Sequence, residues 1–229
     1  MRMPLISGVV LVWAATLTSP ALARPTQQTE QVDRTVPISA NGQLQLRSFS
    51  GRVTITGTNR ADVSVHAIRR GNSDQLQHIH LDITQSGANV TIEANKKDDS
   101  WRDRNENNVV ETEFDIEVPT DISLDVSVFS SKVEVRDVRG SQRVHTFSGS
   151  VDLTGVSSSV DANTFSGDIS VGLANAPGGT VTFDSFSGSI HSDPPMQLHS
   201  SGRRGFTAEM GSGSNEYRFK TFSGNVTIK

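Results

Sequence analysis

The residues of this chain best suited to chemistry are two carboxylates on a fixed spacing. Glu134 and Asp152 stand at equivalent places in successive copies of a short motif, and Ser170 and His191 hold that place in the next two. Two carboxylates about 5 Å apart can act as acid and nucleophile on a glycosidic bond. The row is therefore the candidate site of a polysaccharide-cleaving enzyme. Lys132 and Arg136 flank Glu134 as they would on an ordinary solvated sheet face, and the expectation is that the row is not catalytic.

Other candidates are sparser. His78 and His80 lie two apart on one strand face and could share a metal ion, but the sequence offers no evident third ligand nearby. Asp98, Asp99, Asp103 and Glu106 are hard oxygen donors of the kind that bind calcium, yet their spacing fits no calcium loop and Arg102 and Arg104 would oppose the ion. Gly178-Gly179 and Gly211-Ser212-Gly213 open no helix and lack the lysine of a phosphate-binding loop, so they are turns. The chain has no cysteine, which excludes a thiolate ligand or nucleophile. No serine stands in a Gly-x-Ser-x-Gly elbow between strand and helix. No metal and no cofactor are expected.

What positions these residues is a repeat. Thr146-Phe147-Ser148-Gly149 recurs as Thr164-Phe165-Ser166-Gly167, Ser185-Phe186-Ser187-Gly188 and Thr221-Phe222-Ser223-Gly224. Ser48-Phe49-Ser50-Gly51 is an early copy and Val128-Phe129-Ser130-Ser131 a degenerate one. From Phe129 onward the Phe residues are 18, 18, 21 and 36 apart, a unit of roughly 18 with one short insertion and one copy skipped. Aligned on the Phe, apolar residues recur three before it (Leu46, Val126, Val144, Ala162, Phe183, Phe219) and four after it (Val53, Val133, Val151, Ile169, Ile190, Val226). Each unit is thus a strand, a Ser-Gly corner and a second strand. Such a unit cannot bury its apolar side alone, and stacking about 4.8 Å apart lets successive units pair backbones and pile like residues. The expected fold is an all-β solenoid, a single-stranded β-helix of roughly 18-residue coils, with a more irregular β region before it.

The apolar positions before the Phe share one parity and those after it the other, so the side-chain alternation slips at the corner. A slip before the Phe puts the rings inside. A slip after it makes Phe129, Phe147, Phe165, Phe186 and Phe222 an external aromatic ladder, a binding stripe for glycan or an apolar partner. Burial is the commoner fate of Phe, and an internal stack is the expectation.

The 229 residues carry a net charge of -4, which gives no electrostatic reason for nucleic acid or an anionic membrane as partner. Arg2, the apolar run from Leu5 to Leu17 and the Ala21-Leu22-Ala23 site read as a secretory signal peptide over residues 1–23. No cysteine follows that site, so lipid attachment there is excluded, and no later segment is apolar enough to span a bilayer. The mature chain is expected to be extracytoplasmic, periplasmic or secreted, with a flexible leader over 24–35, an N-terminal β region over 36–120 and the repeat solenoid over 121–229. Val63 and Val65, Ile79, Leu81 and Ile83, Val90 and Ile92, and Phe114, Ile116 and Val118 mark strands of the β region.

The repeated Thr-Phe-Ser-Gly-x-Val-x-Val units resemble the DUF4097 family, β-strand repeat proteins called adhesins by analogy. The likeness includes Phe114-Asp115-Ile116-Glu117-Val118-Pro119 leading into the first repeat. It also includes the ending from Met210-Gly211-Ser212-Gly213 through Tyr217 to Ile228. It extends over about 36–229. The resemblance implies an all-β, solenoid-like fold and brings no catalytic residue with it. The function expected is a non-enzymatic binding or structural module of the cell envelope, with a glycan, an envelope protein or a second copy as partner. A further alternative is self-assembly through an uncapped C-terminal coil.

Overall fold

The computed structural model describes residues 27–98, 109–175 and 178–229; the signal peptide expected over 1–23, and the candidate calcium ligands Asp99, Asp103 and Glu106, lie outside them. Two long strands, β2 (Gln43–Thr58) and β7 (Ser123–Arg136), show how the fold is built. They run side by side in parallel, Leu44 beside Leu124 and Val53 beside Val133. The half before the Phe corner pairs with one set of strands and the half after it with another, so that β2 and β7 join a first and a second sheet into one continuous array. The later coils split the same two halves into separate strands: β8 (Gln142–Ser148) and β9 (Val151–Val156), β10 (Val160–Ser166) and β11 (Ile169–Leu173), β12 (Gly179–Ser187) and β13 (Ile190–Ser192), and β16 (Asn215–Ser223) and β17 (Val226–Ile228).

Register follows the repeat. Val126 lies beside Val144 and Val144 beside Ala162 in the first sheet, while Val133 lies beside Val151 and Val151 beside Ile169 in the second. The buried faces of the two sheets meet in one core. Leu46, Val126, Val144, Ala162 and Phe219 come from the first, and Val53, Val133, Val151, Ile169 and Val226 from the second. Full burial of each Val, Leu or Phe contributes about 1.5–3 kcal/mol, so like residues in register give every coil the same driving force.

The stacking order departs from chain order at two places. The coil of β16 and β17 is inserted between that of β10–β11 and that of β12–β13: Thr221 pairs with Thr164 on one side and Ser185 on the other, and Val226 with Ile169 and Ile190. The C-terminal coil is therefore internal, not an uncapped end, which removes the basis for end-to-end stacking through it. The stretch between Phe186 and Phe222 is not a skipped copy. It forms a hairpin of β14 (Met196–Ser201) and β15 (Gly205–Met210) that closes the first sheet antiparallel to β12. At the opposite end β5 (Asn89–Lys97) and β6 (Glu111–Pro119) lie parallel to the two halves of β2. Antiparallel strands close this end too: β4 (Ile79–Ser86) on β5, and β3 (Asp62–Gly71) on β6.

Two local expectations are corrected. Residues 28–37 form β1 (Gln28–Pro37), antiparallel to β3, where a flexible leader was expected. Their side chains are mostly exposed, so the strand leaves little apolar pattern in sequence. Its backbone pairing and the contacts Glu30–Arg69 and Asp33–His66 hold it. Ser73–His78 forms a short helix, α1, where only a break was foreseen. Asn72 caps it, its Oδ1 accepting from Gln75 N at 2.8 Å while Gln75 Oε1 accepts from Asn72 N at 2.8 Å. Among the described residues no helix is long and apolar enough to cross a membrane.

Candidate functional site: an external aromatic ladder

The alternation of each first-half strand runs unbroken through the corner. Val144 and Thr146 point inward, so Phe147 points out; Val126, Val128 and Phe129 behave alike, as do Ala162, Thr164 and Phe165. The slip comes after the Phe, at the glycine. Gly149 and Gly167 each have φ of +148° and Gly224 of +157°, a region costly for residues with a side chain. A Cβ on Gly149, Gly167 or Gly224 would also meet a backbone oxygen of the neighbouring coil at 2.0–2.1 Å. Glycine is thus required twice, by its dihedral and by the close approach of coil to coil. The side-chain phase resets there, and Val151, Ile169 and Val226 point inward again.

The internal stack expected from burial statistics is therefore corrected. Phe129, Phe147, Phe165, Phe186 and Phe222 are exposed to 44%, 46%, 45%, 59% and 44%, and Phe49 joins them at 40%. They form one continuous ladder in the order 49, 129, 147, 165, 222, 186, with successive ring centroids 4.7–4.8 Å apart and planes within 15° of parallel. That spacing is the strand spacing. Ring faces lie against each other and ring edges face solvent. The guanidinium of Arg204, from the β14–β15 turn, sits 5.0 Å from the Phe186 centroid and closes one end.

Two positions before each Phe, a second row points outward on the same sheet: Arg47, Ser127, His145, Asn163, Lys220 and Asp184, in stacking order. Asn163 Nδ2 lies 3.1 Å from His145 Nδ1 and donates to Asp161 Oδ1 at 3.2 Å. The space between this row and the ladder forms two adjoining hollows. One, of about 480 Å³, is bounded by His145, Asn163, Phe165, Phe186, Arg204 and Lys220; the other, of about 470 Å³, by Arg47, Ser127, Phe129, His145 and Phe147. Together they make a groove with one apolar wall and one hydrogen-bonding wall. The polar row was missed in sequence, although aligning the repeats on Phe exposes it as an outward position that is polar in every copy.

Beneath the ladder, one residue before each Phe, lies a buried row that was also missed. Thr146, Thr164, Ser185 and Thr221 are only 3–6% exposed. Their hydroxyls, with that of Ser48, have no hydrogen-bond partner among the described residues. The residue below the ring is small in every copy: Thr146, Thr164 and Thr221, with Ser185 and Ser48 smaller still.

The candidate catalytic row lies on the other sheet. Glu134 and Asp152 are register partners and Ser170 follows. Thr227 comes next and separates Ser170 from His191, because the C-terminal coil intervenes. Lys132 Nζ and Arg136 Nη2 each lie 2.5 Å from the Glu134 carboxylate. The hydrogen bond from Lys132 holds that carboxyl below its usual range, with the charges of Lys132, Arg136 and Arg52 adding to it and partial burial opposing. A general acid for glycosidic cleavage needs the opposite shift. His78 and His80 do meet a third group: Asp98 lies 3.2 Å from His78 Nδ1 and 2.8 Å from His80 Nε2. These contacts depress the Asp98 pKa, the hydrogen bond with His78 most. Among the described residues no group of three or more His, Asp or Glu side chains is arranged to hold a metal ion.

Fold and groove together define an all-β, solenoid-like protein whose stacked coils pair in parallel, with antiparallel strands at both ends and an aromatic ladder outside one corner. Residues 122–229 match the family described as Toastrack DUF4097. The solved structures similar to this chain include a "putative cell adhesion protein" from Clostridium sporogenes, at 15% identity and a TM-score of 0.64, covering 88% of this chain and 99% of that one. At that identity the likeness is one of fold. A "putative adhesin" from Bacteroides fragilis aligns at 13% identity over 87% of this chain and 97% of its own, with a TM-score of 0.30. No curated protein matches.

Proposed function

We propose that this chain is an exported, non-catalytic, adhesin-like binding module built of roughly 18-residue coils. Its working surface is the groove between the Phe ladder and the polar row. The observation that carries the reading is the ladder: six large apolar rings in an unbroken external line, where isolated exposed hydrophobics would need no explanation. Because ring faces are used up in ring–ring stacking, a ligand meets ring edges on one side and Arg47, His145, Asn163 and Lys220 on the other. That suits a linear polymer of the envelope, a glycan or an extended protein segment, held by repeated weak contacts along several coils. The leader over residues 1–23 supports export to the periplasm or beyond. The depressed pKa of Glu134, held by Lys132 and Arg136, speaks against Glu134 as the general acid of a glycosidase on the other sheet.

A glycan array paired with a reducing-sugar assay on every bound glycan tests this reading. Binding without new reducing ends, abolished in a chain carrying Phe147→Ser and Phe165→Ser, is the expected result. Release of reducing ends that stops in Glu134→Gln would overturn it in favour of the enzyme.

A further inference from the structure

We propose that the C-terminal coil, residues 215–229, is an exchangeable keystone that a second copy of this chain can supply. The inference stands on strand order and is independent of what the groove binds. Among the described strands, Gly179–Met210 pairs with the rest of the molecule solely through β16 and β17. The last coil thus sits in a slot between the body and a four-strand cap. Both walls of the slot present the same motif in the same register, Thr164 on one side and Ser185 on the other, with Thr221 between them.

Backbone bonds across the slot reach both walls. Gly167 N donates to Ser223 O at 3.2 Å and Ile169 N to Asn225 O at 2.9 Å, while Gly224 N donates to Ser187 O at 3.2 Å and Val226 N to Ser189 O at 2.9 Å. Asn225 adds a side-chain clasp: its backbone N–H donates to Asp168 Oδ1 at 2.8 Å, and its Oδ1 accepts from Ser189 Oγ at 2.9 Å. None of these partners depends on which chain the coil comes from.

The route into the slot has the character of a hinge. From β15 the chain passes Gly211-Ser212-Gly213 to reach β16 on the far side of β12, and it crosses the backbone at Gly178. A Cβ on Gly178 would meet Ser212 backbone atoms at 2.5–2.6 Å, and one on Gly213 would meet Gly178 O at 2.2 Å. The two glycine clusters, 33 residues apart in sequence, are thus one crossing point of bare backbone. A short connection of this kind, leading to an element docked between two matching surfaces, is the arrangement from which copies trade elements.

The absence of native cysteine allows a direct test. Asp184 and Lys220 are exposed register partners across the slot. A chain with Asp184→Cys and one with Lys220→Cys are loosened together in mild denaturant, refolded at high protein concentration and oxidised. The proposal predicts a disulfide-linked hybrid in about tenfold excess over a control mixture of Ser127→Cys with Lys220→Cys, whose thiols lie on coils that do not touch in either arrangement. The double variant Asp184→Cys/Lys220→Cys, refolded dilute, closes its disulfide within one chain. A double variant that closes while the hybrid stays at the control level overturns exchange. A double variant that fails to close overturns the slot itself.

Discussion

The two outer faces of the molecule come from the same repeat and have opposite characters. On the second sheet the outward positions differ from coil to coil, and their charges neutralise one another: Glu134 between Lys132 and Arg136, Glu113 between Arg52 and Arg70, Arg60 between Asp62 and Glu117. At the corner of the first sheet the same side chain returns in every Phe-bearing coil and stacks on itself. Backbone pairing dictates only that equivalent positions align; what the alignment does depends on the residue placed there. Unlike charges quench each other, whereas identical rings add into a surface longer than any one coil. Exposed ion pairs are worth roughly 0–1 kcal/mol each, and stacked aromatic pairs about 0.5–1.5 kcal/mol beyond their burial.

The hardest way to break this contrast is at the corner itself. Gly167→Val combines a φ of +148° with a Cβ 2.1 Å from Gly149 O, and should cost about 4 kcal/mol or more in urea unfolding. Gly87→Ala, where φ is +59° but nothing lies within 4 Å of the added Cβ, should cost only about 1–2 kcal/mol. Phe147→Ala removes both ring contacts in mid-ladder and should cost about 1–3 kcal/mol.

Acid separates the faces differently. The Arg70 hydrogen bond lowers the pKa of Glu113, the Lys132 hydrogen bond that of Glu134, and the His66 hydrogen bond that of Asp33. A carboxylate with a depressed folded pKa contributes stability above its unfolded pKa and loses it as pH falls through the folded value. The melting temperature should therefore fall progressively below about pH 4. The decrement caused by Phe147→Ala should stay constant over the same range, since no titrating group takes part in ring stacking. The smallest effect is expected below the ladder. Thr164→Val replaces a buried hydroxyl lacking a partner with an isosteric methyl, and should leave stability unchanged or raise it by up to about 1 kcal/mol.

Much of this architecture is legible in the sequence, and its limits are physical. Val133, Val151 and Ile169 are register neighbours as the periodicity predicts, because like residues in stacked coils must share an environment. The direction of the Phe was not legible. Parity shows that the alternation slips, but its location is decided by where backbones of adjacent coils come within touching distance, which is a property of the packed stack. The place of the last coil was hidden for a related reason. Every Thr-Phe-Ser-Gly coil fits beside every other, so sequence alone cannot choose between the end of the stack and the slot beside Phe165. β1 was missed because a strand held by backbone pairing at an edge carries little apolar pattern.

The central claim is that the repeated Phe faces solvent, and hydroxyl-radical footprinting read residue by residue by mass spectrometry tests it most directly. The account predicts strong oxidation of Phe49, Phe129, Phe147, Phe165, Phe186 and Phe222, with protection of Phe114, Phe183 and Phe219, which are 2–6% exposed. Protection of the repeated Phe residues to the level of Phe219 would contradict it.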